Sequence, residues 1–184
     1  VNVTNNTANA NSYNWDFCSG ELGWDSITIN SGTSFGFSSP AKCSFTVKEN
    51  GNWYTFFCKL SSPSDLYRAD FGNSLNNTPN IVDLGNPGNI VAPLALCIKK
   101  EGNNWYGLSS SANNLLIRYN FGSNITNTPI ATNLGNIGGK INGPRGVKIR
   151  VDNDTTIAIV CNYASKNIAL VKFGTSLANT PSAS

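Results

Sequence analysis

The chain has 184 residues, 40% hydrophobic and only 12% charged, with 13 basic and 10 acidic side chains and a formal charge of +3. That length suits one domain, and a charge share about half the usual ~25% excludes a charge-rich disordered tail and a coiled coil. The basic residues are scattered, without the stripe that phosphate neutralisation requires, so a nucleic-acid role is not expected.

What is missing narrows the chemistry. There is no histidine, which removes a Ser-His-Asp triad, a Cys-His dyad and every imidazole metal site from this chain. There is no methionine and no charged-then-apolar opening, so the chain reads as a mature or internal piece of a longer product. The longest apolar run, residues 92–98, is far short of the ~20 residues of a membrane-spanning helix. The five cysteines, at 18, 43, 58, 97 and 161, are odd in number, so at least one is unpaired within the chain, and their spacing resembles neither a CxxC clip nor a dense disulfide framework. Cys58 and Cys161 end apolar runs and read as small buried hydrophobes.

In chain order the apolar runs are short, rich in β-branched and aromatic residues, and separated by Gly, Asn, Pro and Ser clusters, the pattern of strands and turns. The first two expected strands are residues 13–17 and 26–30. The pattern is clearest in mid-chain, with strands expected at 94–99, 105–109, 115–120 and 130–134, all of ordinary strand length. The turn Glu101-Gly-Asn-Asn104 has counterparts in Glu49-Asn-Gly-Asn52 and Asp152-Asn-Asp-Thr155. Asn, Asp and Gly tolerate positive φ, so each is a hairpin joining antiparallel neighbours. No window carries the 3.6-residue apolar period of a helix.

These runs belong to a repeat. Leu66-Tyr-Arg-Ala-Asp-Phe-Gly-Asn-Ser-Leu-Asn-Asn-Thr-Pro79 returns as Leu116-Ile-Arg-Tyr-Asn-Phe-Gly-Ser-Asn-Ile-Thr-Asn-Thr-Pro129 and as Ile168-Ala-Leu-Val-Lys-Phe-Gly-Thr-Ser-Leu-Ala-Asn-Thr-Pro181. Phe71, Phe121 and Phe173 thus step by 50 and 52 residues, and Trp53-Tyr54 and Trp105-Tyr106 keep the same step. Four antiparallel strands every 50 or so residues are the signature of a β-propeller blade. The expected fold is therefore all-β, a propeller of four-stranded antiparallel blades with about three and a half blades in this chain. Residues 1–30 are a half blade (third and fourth strands), 31–88 and 89–139 are full blades, and 140–184 are a blade lacking its outer strand. Closure takes roughly four to eight blades, so this single propeller domain is incomplete and its expected partners are further blades or domains of the same polypeptide.

The last unit, from Pro144-Arg-Gly-Val to Phe173, resembles the NHL-type propeller repeat, in which Pro-x-Gly precedes the innermost strand and an Asn precedes the third. More broadly, Asn11-Ser-Tyr-Asn-Trp-Asp-Phe-Cys-Ser-Gly-Glu-Leu22, with the Phe-Gly-Asn-Ser-Leu-x-Asn-Thr-Pro and Leu-Gly-Asn repeats, looks like the propeller region of large gliding-motility-associated surface proteins of Bacteroidota. Residues 1–17 are also similar to the end of a PKD-type Ig-like module, with Cys18-Ser-Gly20 in place of the usual Gly-Asp-Gly. The resemblance implies a secreted or cell-surface protein exported by the type 9 route, with an adhesive, display or protein-interaction role and secretion machinery, surface glycans or proteins as partners. It assigns no catalytic residues, cofactor or metal, and the chain is not expected to be an enzyme; a carbohydrate-binding lectin-type propeller is the alternative.

Repeated residues are expected to hold structure, and loops that differ between copies to carry contacts. Phe-Gly and Asn-Thr-Pro therefore read as an aromatic between blades with a relaxed turn and as an extended turn, respectively. Trp53-Tyr54 and Trp105-Tyr106 read as blade packing or a sugar platform, and Arg68 and Arg118 as partners of carboxylates or carbonyls at a blade edge. The variable loops 59–65, 85–92, 110–114, 135–143 and 162–167 share one face of a propeller, and the ligand-contact candidates are Ser62, Asn89, Lys140, Asn142, Arg145 and Lys166. Asp152 and Asp154 alternate in a turn as calcium ligands do but read as a solvated turn. Asp16, Glu21 and Asp25 are equally unspecific.

Overall fold

The computed structural model describes residues 40–60 and 64–184. Their regular elements are all strands, arranged as three antiparallel four-stranded sheets, each continuous in sequence. Sheet 1 contains β1 (Ala41–Glu49), β2 (Asn52–Lys59), β3 (Leu66–Gly72) and β4 (Asn80–Asp83). Sheet 2 contains β5 (Pro93–Glu101), β6 (Asn104–Ser111), β7 (Leu115–Gly122) and β8 (Ile130–Gly135). Sheet 3 contains β9 (Pro144–Asp152), β10 (Thr155–Asn162), β11 (Asn167–Gly174) and β12 (Ser182–Ala183). The strands expected at 13–17 and 26–30 lie outside the described residues. The third repeat differs from expectation: β12 pairs with β11 through Val171–Ala183 and Lys172–Ser182, so it does carry a short outer strand. Pro181 favours extended backbone before it and leads the chain into that pairing.

Turn chemistry sets the hairpins. Asn50 and Gly51 have φ of 49° and 83°, and Asn153 and Asp154 have 45° and 60°, so both central residues are left-handed, as in a type I′ turn. Between β5 and β6 only Gly102 is left-handed, at 57°, the pattern of type II′.

The repeated Phe-Gly has a geometric cause. Trp53 pairs with Gly72 but Tyr54 with Asp70; Trp105 pairs with Gly122 but Tyr106 with Asn120; Thr156 pairs with Gly174 but Ile157 with Lys172. In each sheet the skipped residue is the phenylalanine, so it is the extra residue of a β-bulge, which kinks a strand and re-aims a side chain. The following glycines sit at φ 68°, 68° and 70°, where a side chain would be strained.

Apolar layers join neighbouring sheets. Val47, Phe56 and Leu66 of sheet 1 pack with Ile98, Ile117 and Phe121 of sheet 2, and Phe56 meets Phe121 edge-on at 5.1 Å between ring centroids. Leu108 and Leu116, on the opposite face of sheet 2, pack with Val147, Val160, Val171 and Phe173 of sheet 3. Each fully buried side chain of this size contributes about 1.5–3 kcal/mol. The alternation in β11 then ends the stack. Ala169, Val171 and Phe173 are buried toward sheet 2, whereas Ile168, Leu170 and Lys172 are exposed on the far face.

Candidate functional site

The variable loops are tied together by hydrogen bonds on one face. Between sheets 1 and 2, Ala92 N–H donates to Ser64 Oγ (3.1 Å) and Ala112 N–H to Val91 and Ala92 carbonyls (both 3.2 Å). Between sheets 2 and 3, Gly143 N–H donates to Asn114 Oδ1 (2.7 Å) and Tyr163 N–H to Gly143 O (2.8 Å). Gly143 is itself required: a Cβ there would lie 2.7 Å from Ala164 Cβ and 2.9 Å from its nitrogen. Buried Asn162 is the hub, accepting from Asn142 N–H (3.1 Å) and donating to Lys140 O (2.8 Å) and Asn167 Oδ1 (3.0 Å).

Of the sequence candidates, Lys140, Asn142, Arg145 and Lys166 come together on this face of sheet 3. The backbones of Lys140 and Asn142 serve Asn162, while their side chains are exposed. Lys166 is the left-handed turn residue of the β10–β11 connection, at φ 54°. Arg145 lies over the ring of Tyr163 at 5.2 Å, and Tyr163 is 72% exposed. Sequence reading missed Tyr163; its signal was an aromatic two residues beyond the apolar run that ends at Cys161. Asn89 belongs to the other connection, between sheets 1 and 2, as a left-handed turn residue (φ 52°), away from the sheet 3 group. Ser62 lies outside the described residues.

The repeated polar residues, by contrast, join sheet to sheet. Glu49, at the end of β1, is buried and reaches sheet 2. Its Oε1 accepts from Trp105 Nε1 (2.6 Å) and Lys100 Nζ (3.3 Å), and its Oε2 from Ile125 N–H (2.9 Å). Burial raises its pKa, but these three hydrogen bonds and the Lys100 charge together hold the carboxyl below the usual glutamate value. Glu101, at the corresponding end of β5, reaches sheet 3. It accepts from Thr156 Oγ1 (3.1 Å), Ser176 Oγ (2.7 Å) and Leu177 N–H (2.9 Å).

The third-strand arginines make the same journey. Buried Arg68 forms a two-pronged pair with Asp70 (2.6 and 3.0 Å) and donates to Thr126 O of sheet 2 (2.5 Å). Arg118 donates to Leu177 and Asn179 carbonyls of sheet 3 (2.6 and 2.8 Å). The asparagines of Asn-Thr-Pro close their own turns: Asn77, Asn127 and Asn179 donate to the carbonyls of Phe71, Phe121 and Phe173 at 2.8, 2.8 and 3.0 Å. Trp105 and Tyr106 are buried, so sheet 2 offers no aromatic platform, and Trp53 is half-buried under Lys48 (4.9 Å).

A cleft of about 440 Å³ runs beside the inner strands, lined by Cys43 of β1, Ala95 of β5, Lys148 and Arg150 of β9 and Cys161 of β10. Lys148 leans over Phe45 at 5.5 Å. The lining, among the described residues, holds two cations and two thiols and no carboxylate. Among the described residues, no three His, Cys, Asp or Glu side chains converge as metal ligands do, and no helix is long and apolar enough to cross a membrane. No protein-family model matches the chain, and no curated protein matches its sequence.

Proposed function

We propose that the chain is a non-catalytic segment of a β-propeller within a large exported surface protein, acting as an adhesion, display or protein-interaction module. The observation that carries this reading is the fate of the repeated polar groups. Glu49, Glu101, Arg68 and Arg118 bond to the next sheet, which leaves the differing loops on one face as the surface available for contact. The far face of sheet 3 supports a continuing ring. Exposed Leu170 stands where sheets 1 and 2 carry Arg68 and Arg118, exposed Asp152 stands where they carry Glu49 and Glu101, and exposed Ile168 adds apolar area that a following blade would cover. Export and surface display rest on the resemblance to gliding-motility-associated proteins.

Mass spectrometry of the parent polypeptide from its native source, combined with protease treatment of intact cells, tests the proposal. A product much longer than 184 residues, carrying more Phe-Gly repeats and cleaved from outside, is expected. A protected intracellular product without further repeats would overturn it, as would glycan or ester turnover sensitive to loop substitutions. A lectin reading is favoured by one observation, exposed Tyr163 with Arg145 on one ring face, since aromatic faces suit the apolar faces of sugars. Glycan-array binding lost in Tyr163→Ala would select it.

A further inference from the structure

We infer that Cys43 and Cys58 form a dithiol that closes to a disulfide across β1 and β2 when the chain meets a small-molecule disulfide. The two residues are direct partners in the antiparallel register, just past the register shift between Ala41 and Cys43. Opposed residues of antiparallel strands have Cα atoms about 4.5–5.5 Å apart, inside the roughly 4.4–6.8 Å that a disulfide spans. Both thiols lie on the face of sheet 1 that carries Val47 and Phe56 toward sheet 2, and Cys43 packs against that cluster. No rearrangement of strands is needed to join them.

Their environments give them different roles. Cys43 is half-buried and lines the open cleft, so it is accessible to a small reagent, whereas Cys58 is fully buried. The hydrogen bond between them lowers the Cys43 thiol against the opposing effect of its burial, and the same bond together with burial pushes Cys58 up. A thiolate attacks and the more buried thiol resolves. Cys43 thiolate attacks one sulfur of the reagent RSSR, forming a Cys43–S–SR mixed disulfide and releasing RS⁻, which takes up a proton. Cys58 then loses its proton and attacks the Cys43 sulfur, expelling the second RS⁻, which is protonated in turn. The protein loses two protons and two electrons, and RSSR becomes two RSH.

The other described cysteines lack such a partner. Cys97 faces Leu108 across β5 and β6. Cys161 occupies in sheet 3 the place of Cys58 in sheet 1, but opposite it stand Gly146 and Ile168. Neighbouring Ser109 and Tyr119 carry buried hydroxyls, and neither can resolve a mixed disulfide.

The test treats the 184-residue chain with oxidised glutathione, alkylates the remaining thiols and digests with trypsin. Cleavage after Lys42, Lys48 and Lys59 separates the two cysteines into peptides 43–48 and 49–59. The expected result is these peptides joined, an intact mass lower by about 2 Da and a Tm raised by about 5–10 °C, all reversed by dithiothreitol. Cys43→Ser, at the half-buried position, should abolish the product and leave Cys58 unreactive in the folded chain. Unlinked peptides, a stable glutathione adduct on Cys43, or linkage of Cys43 to Cys161 or Cys18 would each overturn the inference.

Discussion

The two sheet-to-sheet contacts place a glutamate at the same point and surround it differently. Glu49 is buried among an indole N–H, an ammonium and a backbone N–H, whereas half-buried Glu101 is held by two hydroxyls and a backbone N–H. Trp105 in sheet 2 and Thr156 in sheet 3 are equivalent positions, as are Ile125 and Leu177. The shared element is therefore a carboxylate capping the amide of the turn after the third strand, while the side-chain donors are exchangeable. The repeat preserves the backbone partner and lets the remaining donors vary, provided the carboxylate is satisfied.

The largest expected effect follows from that difference. Glu49→Ala strands the indole and amide donors in a dry layer and should cost about 3 kcal/mol in urea unfolding, against about 1–1.5 kcal/mol for Glu101→Ala, where water can reach the freed donors. Equal losses would break the comparison. Acid sharpens it. Because the folded-state pKa of Glu49 is depressed, its contribution is fully present above the unfolded-state value and is lost as pH falls from there through the folded value. Stability of the wild type should therefore drop more steeply below about pH 4.5 than that of Glu49→Gln.

The arginines come next. Arg68 is buried and compensates Asp70, so Arg68→Leu, which imitates Leu170 of sheet 3, should cost about 2 kcal/mol. Arg118→Leu removes hydrogen bonds only to carbonyls at a wetter edge and should cost about 1 kcal/mol; a reversed order in thermal melts would show that the ion pair adds nothing. The smallest effect is expected at the turn asparagines. Asn127→Ala should cost about 1 kcal/mol and the more exposed Asn77→Ala about half as much.

The strands and turns were legible because short apolar runs rich in β-branched and aromatic residues, Asn-Gly turn chemistry and the 50-residue step can all be read along the chain without knowing any register. The shared loop face was legible for the same reason, since it follows from which strands a loop connects. Glu49 was not, because Glu49-Asn-Gly-Asn52 read as a hairpin, and nothing local says that its first residue reaches a neighbouring sheet. Phe71, Phe121 and Phe173 were expected between blades; that each is the extra residue of a bulge appears only once strands are in register. The opposition of Cys43 and Cys58 likewise depends on a register that a spacing of 15 does not disclose. β12 was missed because two residues after a proline carry no strand signal of their own.

Glu49, Glu101, Arg68 and Arg118 each bond to the following sheet, and the strand backbones of sheets 1 and 3 do not approach one another, the two sheets touching through side chains where Lys148 leans over Phe45. Cohesion therefore runs along the chain as a series of nearest-neighbour couplings, as in a one-dimensional array. In such an array an internal unit is held from both sides and a terminal one from a single side. Amide hydrogen exchange measured on the 184 residues by themselves should then be slowest in sheet 2 and faster in sheet 3, the fraying starting at the exposed Ile168 and Leu170 side of sheet 3 rather than at the most polar contact.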